Sequence, residues 1–103
     1  MAFVLRFVQK YRPADREAFM ELERKFTALE KRRPDFPKGR RCQPLAGRDA
    51  AHTLVWECDF PSLEAVQNVL AFLAADGEHD ELFRRQAPFI AEAHTEIYEV
   101  LEF

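Results

Sequence analysis

The sequence predicts an α+β protein of ferredoxin-like order, β-α-β-β-α-β, with a four-stranded antiparallel sheet. Three observations predict it. Three segments are apolar or alternate with the period of strands, a fourth is short and polar like an edge strand, and two longer segments repeat apolar residues at helical spacing. Proline, glycine and capping residues separate them. One additional short helix is expected before the last strand.

The first strand spans Ala2 to Gln9, with Phe3, Leu5 and Phe7 on one face and Val4, Arg6 and Val8 on the other. Pro13 suits the first turn of the helix that follows, and Asp15 and Glu17 favour its positive end. Ala18, Leu22, Phe26 and Leu29 form its apolar stripe, with Phe19 beside them, and Lys31, Arg32 and Arg33 complement its negative end. Pro34 and Pro37 stop it, because each lacks a backbone donor and restricts the residue before it. Gly39 to Leu45 reads as a short polar strand at a sheet edge, which Pro44 also favours. A turn with Gly47 and Asp49 leads into Thr53 to Phe60, where Leu54, Trp56, Cys58 and Phe60 alternate with Thr53, Val55, Glu57 and Asp59. Ser62 caps the next helix, Leu63, Val66, Leu70 and Leu73 form its stripe, and Gly77 ends it. A short helix over roughly Asp80 to Ala87 and a last strand over Thr95 to Phe103 complete the order.

Residues 1–103 read as a single domain, which by its size can bury only about two-thirds of the surface of its unfolded chain. Apolar residues make up 48% and charged residues 32%, the composition of a folding chain and not of a disordered one. A net charge of -3 opposes general attraction to nucleic acid or anionic membrane. No apolar stretch approaches a membrane span, and Met1 to Lys10 does not read as a secretion signal. Cys42 and Cys58 fit neither a disulfide scaffold nor a metal knuckle, so a cytoplasmic protein with free thiols acting as small buried hydrophobes is expected.

Strands one, three and four carry apolar residues on both faces, whereas two helices can cover only one face. Leaving Val4, Val8, Val55, Tyr98 and Val100, or else the set of opposite parity, in water would forfeit on the order of 1.5 kcal/mol or more per side chain. A second copy laid on the same face is the simplest cover, so a homodimer is expected.

The stretch Val55-Trp56-Glu57-Cys58-Asp59-Phe60-Pro61-Ser62-Leu63-Glu64-Ala65 resembles the dimeric α/β-barrel superfamily, in which the third strand ends near an aromatic and passes through a Ser-capped turn into a Leu-Glu-Ala helix. The chain looks most like its small NIPSNAP-like, stress-responsive and antibiotic-biosynthesis-monooxygenase-like domains. The resemblance implies two sheets facing each other across a dimer and enclosing a cavity. It also implies either no known activity, cofactor-free oxidation of aromatic compounds, or haem chemistry. Neither a haem-ligating His nor the polar cavity set of the monooxygenases has a match in this sequence.

Arg6 and Glu57 break otherwise apolar strand faces on strands that are neighbours in this topology. In a cavity they could serve as anion clamp and general base; otherwise they form a cross-strand ion pair at the dimer seam. Trp56 and Tyr98 read as pocket walls or as ordinary core and interface aromatics, Tyr98 offering a hydroxyl. The candidate ligand-binding residues are therefore Arg6, Trp56, Glu57 and Tyr98, and the candidate catalytic residues Arg6, Glu57 and Tyr98. His79, in Asp76-Gly77-Glu78-His79-Asp80-Glu81, lacks the spacing of a metal site and reads as a solvated helix junction. His52 and His94 read as surface or strand-end residues. Lys31, Arg32, Arg33, Lys38, Arg40 and Arg41 concentrate positive charge without an aromatic platform, which suits helix-end complementarity and edge protection, or contact with an acidic partner. No metal and no cofactor is implied.

The leading reading is a homodimeric domain that binds a small apolar or aromatic molecule in a cavity between its sheets, or has no site at all. The alternative is a cofactor-independent monooxygenase or isomerase acting on an aromatic or ketonic substrate.

Overall fold

The computed structural model describes residues 2–103. Its elements are β1 (Phe3–Tyr11), α1 (Arg16–Arg32, entered through a 3-10 turn at Pro13–Asp15), β2 (Arg40–Cys42), β3 (Thr53–Phe60), α2 (Leu63–Ala75), α3 (Gly77–Gln86) and β4 (Ile90–Glu99). The strands form one antiparallel sheet in the order β2-β3-β1-β4, so β1 and β3 are central and β2 is an edge. This is the expected α+β, ferredoxin-like arrangement with its extra helix.

The helices lie on the face of the sheet that carries Phe3, Leu5, Phe7, Trp56, Cys58 and Phe60. Leu5 and Val66 are fully buried where β1 meets α2, and Phe7 stacks on Trp56 with ring centroids 5.1 Å apart. A second cluster joins Tyr11, Phe19 and Leu54, and a third joins Leu29, Phe36 and Leu73. The buried stripe of α1 is Phe19, Leu22, Glu23, Phe26, Leu29 and Glu30. Ala18, expected in that stripe, is exposed, and Leu63 of α2 is exposed as well. Both lie in the first turn of their helix; in α1 the neighbouring Phe19 takes the buried position instead.

Boundaries moved where tertiary pairing overrode local signals. The final strand starts five residues earlier than its alternation suggests, because Tyr11 pairs with Ile90 and, across a register shift that leaves Ala91 unpaired, Lys10 and Gln9 pair with Glu92 and Ala93 despite their modest strand propensity. It stops at Glu99, because Glu99 pairs with Phe3 at the beginning of β1; beyond it the Val100 amide donates to the Ala2 carbonyl at 2.8 Å. Gly77 does not end α2 but opens α3. Asp76, extended at φ -79 and ψ 125, ends one helix and caps the other by accepting a hydrogen bond from the His79 amide. Ser62 caps α2 as expected, accepting from the Ala65 amide at 3.1 Å.

The end of α1 is fastened by the basic run. Arg33 pairs with Asp35 and with Asp76 at the head of α3, and it lies 4.6 Å over the Phe36 ring. Lys38 donates to the Glu30 carbonyl at the helix end and to the Arg33 carbonyl, which also accepts from the Phe36 amide at 3.2 Å.

Candidate functional site

The uncovered face of the sheet differs in character from the apolar surface expected of it. Val8 and Val55, partners across the ladder, are buried within the protomer itself, at 3% and 2% exposure. Lys10 reaches Asp49 on the β2-β3 loop on the same face. The middle of the face is charged. Arg6 stands opposite Glu57 on β3 and Glu96 on β4, with its Nε 3.2 Å from Glu57 Oε2, not aligned as a hydrogen bond, and its Nη1 donating to Glu96 Oε1 at 3.0 Å. Arg6 also donates to the Tyr98 hydroxyl at 3.0 Å, and Tyr98 donates to Glu96 at 2.9 Å. His94 Nε2 lies 3.0 Å from the other Glu96 oxygen, and Arg40 Nε donates to Glu57 at 2.6 Å. The hydrogen bond from Tyr98, aided by those with His94 and by Arg6, holds the Glu96 carboxyl below its ordinary range. Alternation made this face look apolar because Val4, Val8, Val55, Tyr98 and Val100 were counted without the charged residues between them. Of that set Tyr98 and Val100 are exposed.

The opposite face holds a chamber. Between the sheet and the three helices lies a cavity of about 420 Å³, its walls formed largely by aromatic and aliphatic side chains such as Phe7, Phe26, Phe36, Trp56 and Leu73. The size and lining are those of a small-molecule pocket. Asp80 and Phe83 of α3 and Ala93 and Thr95 of β4 also contribute to the lining, and of these Phe83, Ala93 and Thr95 are exposed.

A polar cluster sits in the chamber wall. Arg41 turns inward from β2, its Nε on Glu23 and its two Nη atoms on the two oxygens of Glu30. Burial works against the charged guanidinium, yet the hydrogen bonds and charges of Glu30 and Glu23 outweigh it and hold its pKa above the ordinary value. Glu30 also accepts from Trp56 Nε1 at 3.4 Å. Gln86 at the end of α3, fully buried, donates through Nε2 to Glu23 at 2.9 Å and to the Phe19 carbonyl at 3.3 Å. Its Oε1 has no hydrogen-bond partner. His79 lies against the Phe26 and Phe36 rings, at 5.2 and 6.3 Å between centroids. Burial lowers its pKa in spite of the Asp76, Glu30, Asp80 and Glu23 charges that act to raise it.

The sequence-predicted residues thus divide between the two faces. Arg6, Glu57 and Tyr98 meet one another on the uncovered face, whereas Trp56 lines the chamber on the other. Four further residues of the chamber wall, Glu23, Glu30, Arg41 and Gln86, went unrecognised. Glu23 and Glu30 did leave a signal: seven residues apart, they fall on the same buried stripe as Phe19, Phe26 and Leu29. Arg41 was read as edge protection and His79 as a solvated junction; the first is half-buried against two carboxylates and the second is packed between rings. Arg40 does serve the edge, on the other face. Cys42 is exposed instead of buried, because a three-residue edge strand turns it toward the uncovered side, and Cys58 is half-buried; both thiols are free. Burial raises the Cys58 thiol above its ordinary pKa. Gly39 was read only as the start of the edge strand, yet an added Cβ there would fall 2.1 Å from the Trp56 ring, so glycine is what lets the indole lie against the chain.

Among the described residues, no group of three His, Cys, Asp or Glu side chains is placed to hold a metal ion, and no helix is long and apolar enough to cross a membrane.

No protein-family model matches the chain, and no curated protein sequence matches it. Solved structures do. A NIPSNAP family protein from Agrobacterium tumefaciens superposes with a TM-score of 0.78 at 16% identity, covering 99% of this chain and 88% of that one. A NIPSNAP-like domain protein from Burkholderia xenovorans gives 0.77 at 20% identity, covering 99% and 87%. SnoaB, a cofactor-independent oxygenase from Streptomyces nogalater, gives 0.64 at 12% identity, covering 99% and 95%. The chain therefore has the fold shared by NIPSNAP and antibiotic-biosynthesis-monooxygenase-like proteins, the same group its β3-α2 stretch resembles.

Proposed function

We propose that the chain acts as one domain that binds a small aromatic molecule inside each protomer, in the chamber between the sheet and the helices. The observation that carries this reading is a cavity of about 420 Å³ with aromatic walls and polar side chains among its lining residues. A chamber kept only by imperfect packing would be small and apolar throughout; one with polar groups in its wall is arranged for a guest or for ordered water. The test is calorimetric titration of the protein with 2-naphthol. Saturable binding is expected, with loss of that binding in Ala93→Phe, a change at an exposed lining position that leaves the core untouched. Absence of saturable heat from the unmodified protein rejects the reading.

The alternative reading is an enzyme, a cofactor-independent monooxygenase or isomerase acting on an aromatic or ketonic substrate. It is favoured by the fold likeness to a cofactor-independent oxygenase and by the Tyr98 hydroxyl, exposed and held between Arg6 and Glu96. It requires a second copy of the chain to cover that face and close a cavity over Arg6, Glu57 and Tyr98. Such a homodimer predicts twice the protomer mass by light scattering at micromolar concentration, and a single protomer there removes this reading. Oxygen uptake with a polycyclic phenol that persists unchanged in Glu57→Gln would remove Glu57 from it.

A further inference from the structure

Part of the chamber wall is open to solvent, and that part carries both charge and aromatic surface. Asp80 and Phe83 stand three residues apart on α3, hence on one side of the helix, and both line the cavity. Neither is closed off: the Asp80 side chain is 47% exposed and Phe83 is 44% exposed. Ala93 and Thr95 of β4, which line the same cavity, are exposed too. A guest can therefore reach a carboxylate and a ring set side by side.

The net charge of the wall has the same sign as Asp80. Glu23, Glu30 and Asp80 are its carboxylates, and among the described residues Arg41 is the one Lys or Arg in the lining. Arg41 is taken up by Glu23 and Glu30. Asp80 pairs with Arg84, which lies outside the lining and is largely exposed. Counting Arg84 still leaves three carboxylates against two guanidinium groups. His79 does not redress the balance at pH 7, because burial lowers its pKa below the ordinary 6.5, and His94 sets its ring against Glu96 on the uncovered face.

Such a wall favours a cation by two routes. The excess negative charge acts through space in a site partly shielded from water, so the buried carboxylates contribute without touching the guest. Aromatic rings attract a cation directly, and Phe7, Phe26, Trp56 and Phe83 supply them. An anion meets the reverse, since it would have to draw Arg41 from its two carboxylates or lie beside like charge.

Resting on the ligand-chamber reading, we propose that the chamber is selective for organic cations, compounds with an aromatic body and a protonated amine, with Asp80 as counter-ion beside the Phe83 ring and the body held among Phe7, Phe26 and Trp56.

Three naphthalenes that differ in one substituent separate charge from shape: 2-(aminomethyl)naphthalene, protonated at pH 7, 2-(hydroxymethyl)naphthalene and 2-naphthoate, each titrated calorimetrically at pH 7 and low salt. The ammonium compound should bind at least about threefold tighter than the alcohol, because a half-exposed ion pair and a cation-ring contact are each modest. The naphthoate should bind more weakly than the alcohol. In Asp80→Asn, which keeps the shape and removes the charge, the advantage of ammonium over alcohol should shrink while the alcohol binds as before. A smaller advantage than threefold on the unmodified protein overturns the proposal, and so does naphthoate binding as tightly as the alcohol. An advantage undiminished in Asp80→Asn overturns it too, since the counter-ion is then not Asp80. These failures leave the ligand chamber standing, because the alcohol still reports it, whereas silence from all three probes removes the chamber reading itself. The comparison among probes on the unmodified protein decides the matter even if Asp80→Asn does not fold.

Discussion

Each face of this sheet carries a chain of opposite charges, and the two chains are held in contrasting surroundings. On the uncovered face Arg40, Glu57, Arg6 and Glu96 alternate in sign across all four strands, each reachable by water, with Tyr98 and His94 at the end. On the covered face Arg41, Glu23, Glu30 and Gln86 lie under the helices, with the two carboxylates at 8% and 11% exposure. The residue types are nearly the same. What differs is that a partner lost outside can be replaced by water, whereas a partner lost inside leaves a charge stranded. Neighbouring residues of one short strand, Arg40 and Arg41, therefore have very different consequences, because a strand sends successive side chains to opposite faces.

The sharpest way to break the comparison is Arg41→Met. It leaves Glu23 and Glu30 buried without their cation, and should lower stability by about 3–5 kcal/mol in urea unfolding at pH 7. A loss below about 1 kcal/mol, the scale of an exposed pair, would show the inner cluster to be as well solvated as the outer one. Gly39→Ala comes next. Its methyl meets the Trp56 ring, so about 1–3 kcal/mol should be lost together with a change in the emission of the only tryptophan. Unchanged emission would mean that the edge strand, and not the indole, yields. Arg6→Met should cost about 1 kcal/mol or less, and its effect should shrink in 1 M NaCl, about a 3 Å screening length, while that of Arg41→Met should not.

The smallest effect belongs to His79 and is read through pH. Its folded pKa lies below the ordinary 6.5, so the unfolded chain takes up that proton first. Stability from this group is complete above about pH 6.5 and declines as the pH falls toward the folded value. His79→Phe should flatten the stability profile just below pH 6.5. A profile that keeps its slope in the variant would show that His79 is not its source.

The two faces also differ in how legible they were. The cross-strand meeting of Arg6 and Glu57 was readable, because strand order follows from element order and opposite residues then follow from alternation. The inner cluster was not. Its members come from α1, β2 and α3, and although Glu23 and Glu30 stand on the buried stripe of their helix, nothing local says that Arg41, forty-five residues from Gln86 and in a run of basic residues, turns toward them. The chamber is likewise a matter of how far α3 stands off the sheet, which no spacing of apolar residues records.

By itself the amino-acid sequence determined the element order, the sheet topology and the two main helices, since these rest on the periodicity of apolar residues and on caps and breakers that act within a few positions. Only the tertiary structure decided the ends of β4, the inward turn of Arg41, the unpaired Gln86 oxygen and the side of the sheet on which the cavity lies. Those features depend on distances between segments remote in the chain, where the free energy of burying or pairing a group is settled by its neighbours in space.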